Sequence, residues 1–151
     1  MNILYCGDKP MQKGILLSSM SLIKNVDEPL NIYILTVDYR EKGINYKPVD
    51  KAFAKYLKEK LNKSDIKVNI FLVDVTRYFV EELPEANMQS RFTACCMLRL
   101  FADKTDIKDR VLYLDTDVLC RKDFRDFYYQ NMDGIEIAGV SDYYGRWLFG
   151  D

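Results

Sequence analysis

"RVLYLDTDVL", residues 110–119, joins a short apolar run to two aspartates that are separated by a single residue. Residues 110–114 favour a buried β-strand, and Asp115 and Asp117 follow it at once. Residues i and i+2 of an extended segment point to the same side, about 6.6 Å apart along the chain. The two carboxylates can therefore converge on one cation beyond the end of the strand. Ligation by oxygen alone suits Mg²⁺ or Mn²⁺ better than zinc, and such ions keep positions open for water and substrate phosphates.

A D-x-D tripeptide on its own is common and more often marks a capped turn than a metal site. In this chain an apolar strand precedes it and the apolar pair Val118-Leu119 follows it, which favours a functional role. Without a cation the two carboxylates would repel each other, and one of them would tend to take up a proton. We therefore interpret Asp115 and Asp117 as metal ligands.

The composition indicates a globular protein and excludes several functional classes. A chain of 151 residues buries one sizeable core, so a single domain over residues 1–151 is predicted. With 22 Lys+Arg against 23 Asp+Glu, the formal net charge of -1 gives no basis for nucleic-acid binding. The sequence contains no histidine, which excludes a Ser-His-Asp triad, a Cys-His dyad and the usual zinc sites. No secretory signal and no apolar run long enough to span a membrane are found.

The four cysteines are Cys6, Cys95, Cys96 and Cys120. None of them forms a C-x-x-C pair, and adjacent Cys95 and Cys96 suit neither a disulfide nor a zinc site. We interpret all four as free thiols in a reducing compartment, so a cytoplasmic location is expected.

The apolar pattern alternates between the strand period and the helix period along the chain. Strands are predicted at residues 2–6, 31–37, 66–73, 110–114 and 135–140, and helices at 12–25, 48–63, 76–83 and 90–104. This alternation predicts an α/β fold with a mostly parallel sheet covered by helices on both faces. Ligands of such sheets gather at the carboxyl ends of the strands. Aspartates follow four of the predicted strands: Asp8, Asp74, Asp115 with Asp117, and Asp142.

Two predicted helices have a defined inner face. For helix 12–25 the predicted face is Leu16, Met20 and Ile23, flanked by Ile15 and Leu22. For helix 48–63 it is Phe53, Tyr56, Leu57 and Leu61.

Arg99 is a charged residue in a predicted helix, residues 90–104, that is apolar nearly all round. Helical spacing puts it on the same face as Cys95 and Cys96, which predicts a buried guanidinium. Such a group costs several kcal/mol, roughly, unless an anion lies nearby. The candidate anions are Asp115, Asp117 and a substrate phosphate. The alternative is that Arg99 extends to the edge of the helix and keeps its charge in water.

These motifs resemble the family 8 glycosyltransferases, the GT-A-fold group that includes glycogenin and the bacterial lipopolysaccharide glucosyl- and galactosyltransferases. Residues 110–119 are similar to the family's strand followed by D-x-D. "NILYCGD", residues 2–8, is similar to its opening strand and uridine-binding loop, and "MLRL", residues 97–100, falls at its tyrosine-x-arginine-leucine segment. The resemblance covers the whole chain. It implies a Rossmann-like, nucleotide-sugar-binding GT-A domain and a retaining, metal-dependent hexosyltransferase that uses a UDP-sugar of the glucose or galactose type, with a saccharide or lipopolysaccharide acceptor.

Carried over by position, the resemblance assigns the metal and the ribose. Asp115 and Asp117 would bind Mn²⁺, or Mg²⁺, bridging the UDP diphosphate. Asp115 would also approach the donor sugar, and Thr116 would lie along the ribose.

The resemblance also assigns the nucleotide contacts. Asp8, with the backbone of Cys6 and Gly7, would hold the uracil edge. Arg99 would contact the donor sugar and the acidic cluster.

Two departures from the family concern the nucleotide rather than the metal. Pro10 and Met11 stand where family members often have a polar residue and an aromatic one, and Met97 replaces the tyrosine of the tyrosine-x-arginine segment.

The family's catalytic domains also continue well beyond the length of this chain. They carry an asparagine-alanine-glycine segment, an acidic-glutamine pair near the reacting carbon and a late histidine ligand. The expectation is that this chain is the N-terminal, donor-binding part, incomplete by itself, and that the catalytic groups and any peripheral membrane contact lie in the missing part.

Two other functions stay open. One is a non-catalytic nucleotide-sugar-binding or scaffold module that self-associates through the unfinished edge of its sheet. The other is a haloacid-dehalogenase-like phosphatase, whose D-x-D also follows an apolar strand. That motif normally lies near the N-terminus and has threonine two residues after the second aspartate, where this chain has Leu119.

Overall fold

Four parallel strands form one sheet in the computed structural model, which describes residues 1–41, 43–82, 94–107 and 109–139. The strands are β1 (Asn2–Cys6), β2 (Leu30–Thr36), β3 (Val68–Asp74) and β4 (Leu112–Tyr113). Their order in the sheet is β3-β2-β1-β4, with Leu4 of β1 paired to Tyr33 of β2 and to Tyr113 of β4. The chain thus builds β2 and β3 on one side of β1 and then returns to add β4 on the other side. The predicted parallel sheet is confirmed. The strand order reverses at β1, since β2 and β3 lie on one side of it and β4 lies on the other.

Helices cover both faces of the sheet, as predicted. They are α1 (Gln12–Ile23), α2 (Lys51–Leu61), α3 (Thr76–Glu81) and α4 (Arg125–Tyr128), together with a 3₁₀ turn (Lys9–Met11) and a 3₁₀ helix (Ala94–Lys104). Helices α1 and α2 pack on one face, and α3 and the 3₁₀ helix pack on the other.

Side chains of β1 point alternately to the two faces of the sheet and so contribute to the apolar core on each face. Ile3 and Tyr5 point to the face that α1 and α2 cover, whereas Leu4 and Cys6 point to the 3₁₀ helix. All four side chains are buried, as expected for a central strand of a parallel sheet with both faces covered.

In α1 and in α2 one residue that was predicted to face inward is exposed, and in α1 two serines that were not predicted to do so are buried. In α1 the buried residues are Ile15, Ser18, Ser19 and Leu22, while Met20 is 41% exposed. Two serines therefore face the sheet, and the Tyr5 hydroxyl donates a hydrogen bond to Ser18 Oγ at 2.7 Å. In α2 Leu57 and Leu61 are buried but Tyr56 is 44% exposed, since it lies one position outside the apolar stripe.

The predicted fifth strand is wrong over residues 135–139, which are irregular. Ile135 and Ile137 are 51% and 87% exposed. The I-E-I pattern has the period of a strand, but a strand also needs a paired neighbour, and these residues pair with no strand in the described ranges. Val140, Asp142, Leu83 and the predicted helix start at Ser90 lie outside the described residues.

Two further expectations concern the cysteines and the membrane. The structure contains all four cysteines as free thiols. Within the ranges given above, no helix combines the length and the apolar character needed to span a bilayer.

Candidate nucleotide-sugar and metal site

The sheet register brings the predicted aspartates of β1 and β4 to the same edge. Leu4 pairs with Tyr113, and the ladder continues as the Leu114 N–H donates to the Leu4 carbonyl at 3.0 Å. Asp8 and Asp117 each lie four residues beyond the paired Leu4 and Tyr113. Neighbouring strands are about 4.8 Å apart, so the segments that follow β1 and β4 leave the sheet next to each other. This place is the switch point of the sheet, where open α/β folds bind ligands.

Asp115 is exposed and is held by a residue that the sequence interpretation missed. The Tyr113 hydroxyl donates to Asp115 Oδ1 at 2.5 Å. Burial of the phenol and its bond to the Asp115 carboxylate raise the pKa of Tyr113 above its ordinary value, so it stays a donor at neutral pH. The signal was available, because residues 113 and 115 of one strand share a side. The tyrosine orients one carboxylate oxygen and leaves the other open.

Arg99 lies near the site, but the prediction of a buried guanidinium is wrong, since the residue is exposed. The helix that carries it has three residues per turn rather than 3.6. The buried positions therefore recur as Cys95, Leu98 and Phe101, and Arg99 falls outside that stripe. Its guanidinium carbon lies 5.0 Å from the centroid of the Tyr113 ring. Arg99 thus approaches Asp115 through the tyrosine, and no ion pair joins it to Asp115 or Asp117 within the described residues.

Asp8 is a buried carboxylate, 8% exposed, directly after β1. Within the described ranges no side chain or neighbouring backbone group donates a hydrogen bond to it beyond its own N–H, and burial raises the pKa of Asp8. The preceding Gly7 is tightly enclosed: its N–H donates to the Leu35 carbonyl at 3.0 Å, and an added Cβ would come within 2.6 Å of Met11 Sδ. The Gly7 N–H is therefore already used by the sheet, whereas the Asp8 carboxylate accepts no hydrogen bond from another described residue.

Two carboxylates at a turn suit a hard cation that takes its other ligands from substrate and water. The Val118 N–H donates to the Asp115 carbonyl at 3.1 Å, which closes the turn, and both Asp115 and Asp117 are exposed. The described part of the chain contains no group of three or more His, Cys, Asp or Glu side chains able to hold a metal. A Mg²⁺-type ion often takes only one or two protein carboxylates besides phosphates and waters, so the residues present fit such an ion.

Asp74 does not join this site. It ends β3, and strands β2 and β1 separate it from β4. Its Oδ1 accepts the Thr76 N–H at 2.9 Å and the Thr76 hydroxyl at 2.5 Å. Asp74 therefore forms a turn with its own backbone two residues on and satisfies the first N–H of α3, which accounts for an aspartate at this strand end.

Both the sequence and the fold of this chain are similar to those of known proteins. Residues 2–148 match the family model described as glycosyl transferase family 8. The structure resembles an active-site mutant of LgtC, with 18% identity, a TM-score of 0.67, and 87% of this chain and 43% of that chain covered. It also resembles the galactosyltransferase LgtC in complex with donor and acceptor sugar analogues, with 19% identity, a TM-score of 0.65, and the same coverage of 87% and 43%.

A third similar structure is apo mouse xyloside xylosyltransferase 1, with 15% identity, a TM-score of 0.50, and 84% and 46% of the two chains covered. A search of curated proteins gives no significant match. The likeness establishes the GT-A fold, and the chain spans less than half the length of the structures that it matches.

Proposed function

Because the chain belongs to glycosyl transferase family 8, we propose that the edge between β1 and β4 binds a UDP-sugar together with Mn²⁺ or Mg²⁺. The proposed reaction is transfer of a hexose, of the glucose or galactose type, to a saccharide or lipopolysaccharide acceptor with retention of configuration. The observation that carries the proposal is the parallel pairing of β1 with β4, because it directs the chain that follows each strand, with Asp8 in one and the D-x-D turn in the other, to the same edge of the sheet. The complex of LgtC with donor and acceptor sugar analogues supports the choice of ligands.

The role proposed for each side chain is the one that the resemblance to the family implies. Asp115 and Asp117 would hold the cation, which when bound supplies Lewis-acid stabilisation of charge on the departing diphosphate. Thr116, between them, would lie along the ribose. Arg99 would add a positive charge near the donor sugar and the diphosphate.

The nucleotide contact is proposed at the end of β1. The Asp8 carboxylate, unpaired within the described residues, would accept an N–H from the uracil, next to the backbone of Cys6 and Gly7. The four free thiols support the proposal of a cytoplasmic location.

Calorimetry of UDP with and without Mn²⁺ tests the proposal. Two carboxylates and a diphosphate provide hard oxygen ligands, so Mn²⁺ should strengthen UDP binding to a dissociation constant of about 0.1–1 mM for this chain. Adenosine diphosphate serves as the control, because it offers the same diphosphate without uracil. UDP binding that Mn²⁺ leaves unchanged would contradict the proposed site.

A scaffold module that binds the donor without turnover is the second candidate. It is favoured by apolar side chains that are 40–87% exposed beyond β4: Val118, Leu119, Phe127, Ile135 and Ile137. So many exposed apolar side chains within some twenty residues of the chain favour a surface that another chain or segment covers. Labelled-sugar transfer together with sedimentation distinguishes the candidates, because a module would bind and self-associate without transfer or hydrolysis. The phosphatase alternative gains no support from the family match or the fold.

The substitution Arg99→Met tests the proposed role of the guanidinium. The side chain is exposed, so the midpoint of thermal unfolding should stay close to that of the parent. Loss of a positive charge next to the diphosphate should weaken UDP binding about fivefold to tenfold. Exposed Arg40, which pairs with Asp38, gives the control Arg40→Met. A large fall in stability with unchanged UDP binding would show that Arg99 is only structural.

A further inference from the structure

One side of α1 is joined to the segment that carries the D-x-D turn. Gly14, Ser21 and Asn25 are separated by seven and four residues, so they lie along one side of the helix and its C-terminal extension. All three contact the segment from Thr116 to Cys120. These contacts join parts of the chain that are roughly one hundred residues apart.

The first contact is a close approach between backbones. A Cβ added at Gly14 would lie 2.5 Å from the Thr116 carbonyl oxygen and 3.2 Å from the Thr116 carbonyl carbon. A side chain at position 14 would therefore have to move the peptide between Asp115 and Asp117. Gly14 lies in the first turn of α1, where its lack of a side chain lets the turn rest on the helix.

The second contact is a pair of hydrogen bonds to the backbone of one residue, Cys120. The Cys120 N–H donates to Ser21 Oγ at 2.8 Å, and Asn25 Nδ2 donates to the Cys120 carbonyl at 3.1 Å. Both side chains also bond to α1 itself: Ser21 Oγ donates to the Ser18 carbonyl at 2.6 Å, and Asn25 Nδ2 donates to the Ser21 carbonyl at 2.8 Å. These bonds within α1 orient the Ser21 hydroxyl and the Asn25 amide toward Cys120.

The D-x-D turn is held at both of its ends. Leu114 precedes it, bonds to β1 and packs against the apolar cluster under α1. Cys120 follows it and packs against the same cluster. The two exposed aspartates therefore lie in a short turn that is bonded to the sheet at one end and to α1 at the other.

We propose that Gly14, Ser21 and Asn25 are positioning residues that set the separation and direction of the Asp115 and Asp117 carboxylates for a divalent cation. The inference rests on the proposed function, because it assumes that this turn binds the metal. Groups that orient metal ligands from behind affect metal affinity although they touch neither metal nor substrate.

Helix α2 supplies matched controls with the same local chemistry. Ser64 Oγ donates to the Leu61 carbonyl at 2.7 Å, as Ser21 does to Ser18. Asn62 Nδ2 donates to the Lys58 carbonyl and to the Val68 carbonyl, both at 2.8 Å, as Asn25 does to Ser21 and Cys120. The second group of contacts ends at the start of β3 instead of the D-x-D turn.

The test compares Ser21→Ala and Asn25→Ala with Ser64→Ala and Asn62→Ala, using Mn²⁺ binding followed by electron paramagnetic resonance and UDP binding by calorimetry. The first pair should weaken Mn²⁺ and Mn²⁺-dependent UDP binding about tenfold, while UDP binding without metal stays unchanged. The second pair should leave all three quantities within about twofold of the parent, since distant sites act independently. Ser21→Thr keeps the hydroxyl and should restore binding.

Amide hydrogen exchange at Cys120 gives a readout that needs no ligand. Loss of the Ser21 acceptor should speed exchange of this N–H in Ser21→Ala and not in Ser64→Ala. Gly14→Ala should likewise weaken Mn²⁺ binding, whereas Gly139→Ala, whose added Cβ would meet nothing within 4 Å, should not.

The outcomes separate the inference from the proposed function. Faster exchange at Cys120 with unchanged Mn²⁺ affinity would show that Ser21 and Asn25 have only a structural role. Unchanged exchange would show that they do not hold the turn. Either result overturns the inference. A parent that binds Mn²⁺ but not UDP contradicts the proposed function, while the comparison of Mn²⁺ affinities still decides the inference. A parent that binds neither overturns both.

Discussion

Asp115→Asn and Asp117→Asn are each expected to weaken Mn²⁺-dependent UDP binding tenfold or more, about 1.4 kcal/mol. Asparagine keeps the size of the side chain but removes the negative charge that a hard cation requires. Both residues are exposed, so the fold should tolerate the change. Without metal, UDP should bind the variants and the parent almost equally, because the lost affinity belongs to the ion. Calorimetry with and without Mn²⁺ measures this difference directly.

The two variants should differ in one respect. Asp115 accepts the Tyr113 hydroxyl, whereas Asp117 has no such bond within the described residues. Asp115→Asn therefore also weakens a charge-assisted hydrogen bond, and the near-ultraviolet signal of Tyr113 should change only in that variant. If both variants bind UDP with Mn²⁺ as the parent does, the metal assignment is wrong.

Asp74→Asn is the matched control for a strand-end aspartate. Asp74 accepts the first N–H of α3, from Thr76, and ends β3, which β2 and β1 separate from β4. Weakening this hydrogen bond should lower the free energy of unfolding by about 1 kcal/mol and leave UDP binding unchanged. The comparison separates a carboxylate that serves the fold from carboxylates that serve the ligand.

Four of the five predicted strands and their parallel arrangement could be predicted from the sequence, because they depend on strong local patterns. Strands buried on both faces need nearly continuous apolar runs, and "NILYC" and "NIYILTV" are such runs. Parallel strands align their carboxyl ends, so the residues that follow them meet at one edge. The apolar pattern does not show the order of the strands in the sheet. For that reason the sequence alone cannot separate Asp74, at the end of β3, from Asp8 and Asp115.

The environment of Arg99 could not be predicted because the helix around it is apolar on nearly every side. With few polar positions, a period of 3.6 cannot be distinguished from a period of 3.0, and the two periods put Arg99 on different faces. Only burial in the structure, at Cys95, Leu98 and Phe101, reveals the spacing of three residues per turn. In α1 the difficulty was of another kind, since Ser18 and Ser19 occupy inner positions that an apolar pattern assigns to larger residues.

The contacts between α1 and the D-x-D turn leave almost no trace in the local sequence. Ser21 and Asn25 reach Cys120 across roughly one hundred residues, and neither differs from an ordinary polar residue at a helix end. Gly14 was the single indication, because a glycine inside a helical pattern usually marks a close packing contact. Long-range contacts of this kind depend on the assembled sheet.

Asp8→Asn is expected to stabilise the fold and to weaken UDP binding by about tenfold or more, the loss expected for a hydrogen bond to a charged group. Burial raises the pKa of Asp8, so the folded state disfavours the ionised carboxylate. The stability linked to protonated Asp8 is therefore fully present below the unfolded pKa of 3.8 and is lost as the pH rises through the higher folded pKa. Asparagine resembles the protonated acid in shape and lacks the charge.

Thermal unfolding as a function of pH, measured beside UDP calorimetry, checks both parts of the expectation for Asp8→Asn. The variant should unfold at a higher temperature than the parent at pH 7, and the two curves should converge below the unfolded pKa of 3.8. Asp65→Asn, at an exposed loop position before β3, should change neither quantity. A variant that is less stable at pH 7 and binds UDP normally would make Asp8 a structural residue of the β1 end. Higher stability with weaker UDP binding is the result expected of a buried carboxylate that is retained for a ligand. In that case the ligand supplies the hydrogen-bond donor that the described residues do not supply.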